Sequence, residues 1–99
     1  MKPAVFTPAA EVDVEDAFQW YEAQRAGLGS AFRHAVDVAI TAVEANPEAY
    51  AVLHRNTRRV LLPKFPYGLY YCIIDEQPVV VGCIHAKRNP RVWRSRARG

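Results

Sequence analysis

Apolar positions recur at helical spacing between residues 12 and 45, then crowd into short blocks rich in branched and aromatic side chains. Val14, Ala17, Phe18 and Tyr21 fall at i, i+3, i+4 and i+7, which is one stripe of a helix. Thr7-Pro8 supplies its start, with threonine at the N-cap and proline at the first helical position. Glu11, Asp13, Glu15 and Asp16 crowd the early turns, where the positive end of the helix dipole favours acids. Gly27 and Gly29 punctuate the pattern, so the helix should end near Ala26. Phe32, Ala35, Val36, Ala39, Ile40 and Val43 repeat the spacing until Asn46-Pro47 stops it. The short link makes the two helices an antiparallel hairpin.

Residues 3–7 read as a short strand. Tyr50–Leu53, Thr57–Leu62, Tyr67–Ile74 and Val79–His85 read as further strands. Phe65-Pro66 with Tyr67-Gly68 marks one turn, and Asp75–Pro78 marks another. Such short connections make successive strands antiparallel. Residues 91–94 suit a helical turn. The order is β-α-α-β(3-4), a two-layer α+β fold with the hairpin on one face of an antiparallel sheet. The sheet's other face, or its rim, is left for the arginines. One domain spans 1–99, with a frayed tail at 95–99. Alternation places Tyr71 inside and Tyr70 outside. Whether Cys72 and Cys83 share a face depends on the parity of the turn between their strands.

Charge divides the chain. Residues 1–50 carry Lys2, Arg25 and Arg33 against eight acids, a net of −5; residues 51–99 carry ten cations against Asp75 and Glu76, a net of +8. One half therefore suits polyanions and the other does not. No apolar run is long enough to span a membrane, and the first residues lack the core of an export signal. The expected location is the cytoplasm. Two cysteines are too few for a disulfide scaffold, and His34, His54 and His85 have no ligand spacing, so no metal and no cofactor is expected.

Five pieces in order carry a resemblance: 20-WYEAQRAGLG-29, NPE at 46–48, RRVLL at 58–62, FPYGLYY at 65–71, and a histidine, arginine, proline and tryptophan at 85, 88, 90 and 93. From about Phe6 to Arg94 the chain resembles the RelE/ParE superfamily of small bacterial toxins. The resemblance implies a RelE/ParE-like fold in which the first strand packs beside the last. It implies the toxin of a type II toxin–antitoxin system, of the kind linked to plasmid stabilization, in a hetero-oligomer with its antitoxin. ParE-like members poison DNA gyrase and bind a ParD-like antitoxin on the helical hairpin. RelE-like members cut mRNA on the ribosome.

The residues favour the ParE-like branch. RelE-like members use lysines and arginines with a tyrosine near the C-terminus, but this tail has Trp93 and no tyrosine, which argues against an enzyme. Should the chain cut RNA, the catalytic candidates are His85, Arg59, Lys64 and Arg88. The expected target-binding set is Arg58, Arg59, Tyr70, His85, Arg88, Arg91, Trp93 and Arg94, joined along the tail by Arg96 and Arg98. Val12, Trp20, Leu28 and Ala42 lie off the helical stripes and are the expected antitoxin-binding positions. The alternatives are a RelE-like ribosome-dependent endonuclease and a non-toxic basic nucleic-acid-binding module.

Overall fold

The structure, a computed structural model, describes residues 2–97; Arg98 and Gly99, part of the expected basic tail, lie outside the described residues. Helix α1 (Pro8–Gln24) starts as expected: the Thr7 hydroxyl accepts the Ala10 amide at 3.2 Å, satisfying one of the donors a helix start leaves free. Helix α2 (Leu28–Ala45) begins one turn before its apolar stripe. The reason is local. Gly27 takes φ 91°, and the Glu22 carboxylate accepts the amides of Gly27 and Gly29, each at 3.0 Å. Those amides would otherwise be unsatisfied, and the carboxylate meets the positive helix end.

The strands are β1 (Val5–Phe6), β2 (Val52–His54), β3 (Thr57–Leu61), β4 (Tyr67–Ile74) and β5 (Gln77–His85), with a four-residue helix α3 (Arg91–Arg94) after them. They form one sheet in the order β1-β5-β4-β3-β2. The first strand does lie beside the last, and in parallel with it, so the sheet is only mostly antiparallel. The strand expected at 50–53 is shifted, because Pro47–Ala49 forms a 3-10 turn first. Strand β5 starts two residues early and includes Pro78. Asp75 and Glu76, at φ 50° and 66°, close a two-residue turn between the paired Ile74 and Gln77, the conformation that matches strand twist. Pro78 is tolerated because β1 pairs with β5 only at Val79 and Val80. On the far side, β2 pairs with Arg58 and Thr57 alone.

The register assigns the faces. Leu69, Tyr71, Val80 and Cys83 face the helices and join Phe32, Ala35, Ala39 and Val43 in the main core. Tyr21, Phe32, Phe65 and Tyr67 form an aromatic joint between hairpin and sheet, with centroids 4.9–6.1 Å apart. The opposite face, or its rim, was expected to be left to the arginines, and it is the rim that they take. On the face itself Tyr70, Cys72, Val81 and Ile84 are buried beneath Trp93. Tyr70 therefore points away from the helices, as alternation requires, without reaching solvent. Strands this continuously apolar need cover on both faces.

One residue upsets the alternation. Tyr70 pairs with Gly82 but Tyr71 pairs with Val80, so Val81 is the extra residue of a β-bulge. Beyond it the phase of β5 is reset. Cys83 faces the helices while Cys72 lies on the other side, and both are free thiols. Among the described residues, no helix is long and apolar enough to cross a membrane, and no group of histidine, cysteine and acid side chains is placed to hold a metal ion.

The helices approach closely at Gly29, where an added Cβ would lie 2.8 Å from the Phe18 carbonyl oxygen and 2.8 Å from its ring. Backbone cannot yield as a flexible side chain can. Gly29→Ala should cost about 1–3 kcal/mol through overpacking, seen as a lower urea midpoint with an unchanged slope.

Candidate functional site

Two surfaces gather the charged and aromatic residues outside the core. The first is the outer sheet face. Asn89 starts α3 by accepting the Arg91 amide at 2.9 Å, and Trp93 then folds back over the sheet. Its indole stacks on Tyr70 at 4.8 Å and 16°, and meets the His54 ring edge-on at 6.1 Å. Arg94 places its guanidinium carbon 5.5 Å from the indole centroid. Arg59 reaches the same face by its pairing with Tyr70. An added Cβ on Gly68 would sit 3.0 Å from the Arg59 side chain and 3.3 Å from the Tyr70 ring. The missing side chain there lets the arginine stem lie beside the tyrosine. Arg59, Arg91 and Arg94 are exposed, while Tyr70 and Trp93 are 3 % and 6 % exposed. The aromatic pair is thus a foundation that fixes α3, with arginines around it.

The second surface is a cleft of about 260 Å³ between α1 and the end of β5, lined by Asp13, Asp16, Trp20, Tyr67, His85 and Arg88 among others. His85 pairs with Tyr67 across the strands, their rings 5.2 Å apart. The Lys87 amide donates to His85 Nδ1 at 3.0 Å. The neutral ring then carries its proton on Nε2 and has no free lone pair to act as a base. Burial raises the Tyr67 hydroxyl above its ordinary range, although Arg88 pulls it the other way. The cleft offers donors (the phenol, the imidazole N–H and a guanidinium) with Asp16 as its exposed carboxylate.

These surfaces divide the expected catalytic residues. His85 and Arg88 share the cleft. Arg59 is on the outer sheet face, and Lys64 occupies the β3–β4 turn at φ 66°, outside the cleft lining. A nuclease centre built from the four does not assemble, because His85 and Arg59 project from opposite faces of the sheet. Arg58, expected to meet a target, is turned inward. It donates to the carbonyls of Glu48 and Tyr50 at 3.1 and 2.6 Å, tying the 3-10 turn to β3 beside the Tyr71 hydroxyl bond to Pro47.

The expected antitoxin positions also separate. Val12, 57 % exposed, lines a groove of about 530 Å³ between the helices with Phe6, Val14 and Val36, rimmed by Glu11, Glu15, Asp37 and Arg33. Trp20, 58 % exposed, flanks the His85 cleft. Ala42 lines a third groove, with Arg59 and Leu61. Leu28 is half-buried at the start of α2. The tail also departs from expectation. Arg96 is not part of a frayed end: it donates to Asp13 and to the Val81 carbonyl. Sequence patterns counted Arg96 with the basic tail and Asp13 with the helix-start acids, but paired neither these two with each other nor Tyr67 with His85. The Tyr67–His85 pairing was accessible from strand register, but a contact between residues 13 and 96 leaves no local signal.

No protein-family model matches the chain, and no curated protein matches it. Solved structures do. A chain of the chromosomal ParDE TA system from P. aeruginosa is 15% identical, with a TM-score of 0.66 over 86% of this chain and 96% of that one. The isolated E. coli RelE toxin is 21% identical, with a TM-score of 0.63 over 93% of this chain and 92% of its own.

Two buried acids give a pH prediction. Burial pushes the Cys83 thiol from 9.0 to about 12, helped by the Asp13 carboxylate. Burial likewise raises the Tyr71 phenol from 10.0 to about 12, against the pull of Arg58. Both hold their protons more tightly folded than unfolded. The stability they contribute is fully present below pH 9 and is lost as pH rises toward 12. Thermal melts should fall steadily above pH 9, and Cys83→Ala should flatten part of that fall. Together the geometry and the comparisons establish that this chain adopts the fold of the RelE and ParE toxins.

Proposed function

We propose that the protein is the toxin of a type II toxin–antitoxin system, of the ParE-like kind, and that it arrests growth by binding DNA gyrase. The observation that carries this reading is the separation of two unlike surfaces on a RelE/ParE-like fold. One is an apolar groove between the helices with three acids and one arginine on its rim. That arginine is already engaged, bonded to Glu15 and lying 3.9 Å from the Phe18 ring centroid. Such a groove suits the apolar stripe of a partner helix flanked by basic residues, which is the place for a ParD-like antitoxin. The other surface is the border of exposed arginines around Trp93. Arginine forks bind carboxylate and phosphate with two parallel bonds, and this border is the place for the target.

Binding without cutting fits the cleft chemistry. His85 has its lone pair engaged by Lys87, and Arg59 is on the other side of the sheet. A RelE-like endonuclease would need base and cations at one scissile phosphate. The likeness to the RelE toxin keeps that alternative in the test. Purified protein should abolish gyrase supercoiling while induced cells keep intact transcripts. Transcripts cut on translating ribosomes would select the endonuclease. Normal growth on induction would select the basic nucleic-acid-binding module.

Two substitutions separate the surfaces. Arg91→Glu with Arg94→Glu should abolish growth arrest and leave stability within about 0.5 kcal/mol, as exposed positions do. Val12→Glu should leave growth arrest intact but weaken antitoxin binding at least tenfold, ~1.4 kcal/mol, measured by calorimetry.

A further inference from the structure

The bulge at Val81 leaves an open stretch on the β1 side of β5. Strand β1 leaves the sheet after Phe6, and its last backbone bond there is from the Thr7 amide to the Val80 carbonyl at 2.9 Å. Two side chains far apart in sequence close the next stretch of β5. The Asp13 carboxylate of α1 accepts the Cys83 amide at 3.0 Å. The Arg96 guanidinium, just past α3, donates to the Val81 carbonyl at 3.1 Å. The two side chains then meet each other at 2.5 Å. An added Cβ on Gly82 would lie 3.1 Å from the Arg96 Nη1 atom, so the absence of a side chain opens the route by which Arg96 enters. The pair is partly shielded, at 27 % and 18 % side-chain exposure, so solvent screens it less than an open surface pair, and removing one partner strands the other's charge.

We propose that Asp13 and Arg96 are positioning residues that latch α3 over the outer sheet face. Helix α3 is four residues long, too short to hold itself. It is held to the sheet by Trp93, on Tyr70 and against His54, by Val92 on the same cluster, and by the Arg96 anchor three residues after Trp93. With the anchor released, α3 frays and lifts, and the Tyr70 ring and the placement of Arg91 and Arg94 go with it. The pair therefore links helix α1 to the arginine border on the other side of the sheet. The latch stands on its own geometry; only the identity of what meets the border rests on the proposed function.

The test is native-state hydrogen exchange on the full chain carrying Arg96→Gln, and separately Asp13→Asn, which keeps an acceptor for the Cys83 amide. The reporters are the α3 amides of Val92, Arg94 and Ser95, which bond to Asn89, Pro90 and Arg91. Each variant should lose about tenfold protection at these amides, ~1.4 kcal/mol of local opening, while the Val43 and Leu69 amides keep theirs. In a Trp20→Phe background, acrylamide quenching of Trp93 should rise in parallel, and Arg96→Lys should recover most of the protection. Equal loss at every amide would make the pair a general stabiliser and overturn the latch. Unchanged α3 protection would overturn it too. An opened latch with full growth arrest would uphold the latch and count against the arginine border as the target surface.

Discussion

A single extra residue in β5 sets the geometry of everything around it. Without Val81 the strand would keep strict alternation, and the residues after it would exchange faces. With it, Cys83 and His85 turn toward the helices, Ile84 joins Trp93 on the outer side, and a backbone amide and carbonyl are left for side chains to satisfy. A bulge costs ladder bonds. On the other flank, where β1 has ended, Asp13 and Arg96 satisfy the Cys83 amide and the Val81 carbonyl, and among buried side chains of the described residues no nitrogen or oxygen is left without a partner. The cleft beside His85, the covered outer face and the anchored tail all stem from that displacement of one position.

The helices were legible because their signals are local. A threonine followed by proline, a stripe at 3.6 spacing and an Asn-Pro stop each act within a few residues, and α1 and α2 obey them. Strand β4 was legible for the same reason: its odd positions face the helices along its whole length. Strand β5 was not, since nothing in VVVGC distinguishes a regular strand from a bulged one except a glycine that strands otherwise avoid. The turn at Asp75-Glu76 was placed two residues long of its true end because neither residue is the glycine that positive φ favours.

The candidate site was legible in composition and illegible in arrangement. A count of charges separates an acidic half from a basic one, and the resemblance supplies a fold for both. Yet Arg58 commits its guanidinium to two carbonyls, Arg96 commits its own to Asp13, and Tyr70 and Trp93 bury each other. Side chains of the kind that recognise partners are also the kind that fasten irregular backbone, and only three-dimensional neighbours decide between the uses. Among the described residues, the expected target-binding arginines still presented to solvent on the outer side are Arg59, Arg91 and Arg94.

The short reach of β2 has a consequence of its own. It covers β3 at Thr57 and Arg58, so among the described residues no strand lies beside one flank of the run from Arg59 to Leu61, and Leu61 is 61 % exposed. Unsheltered flanks of this kind invite a second chain to stack on and propagate. Arg59, repelling its own copy, opens that run, and Pro63, unable to donate, follows two residues after its end. A truncated strand thus carries a standing hazard of self-association, held off by one charge and one imino acid.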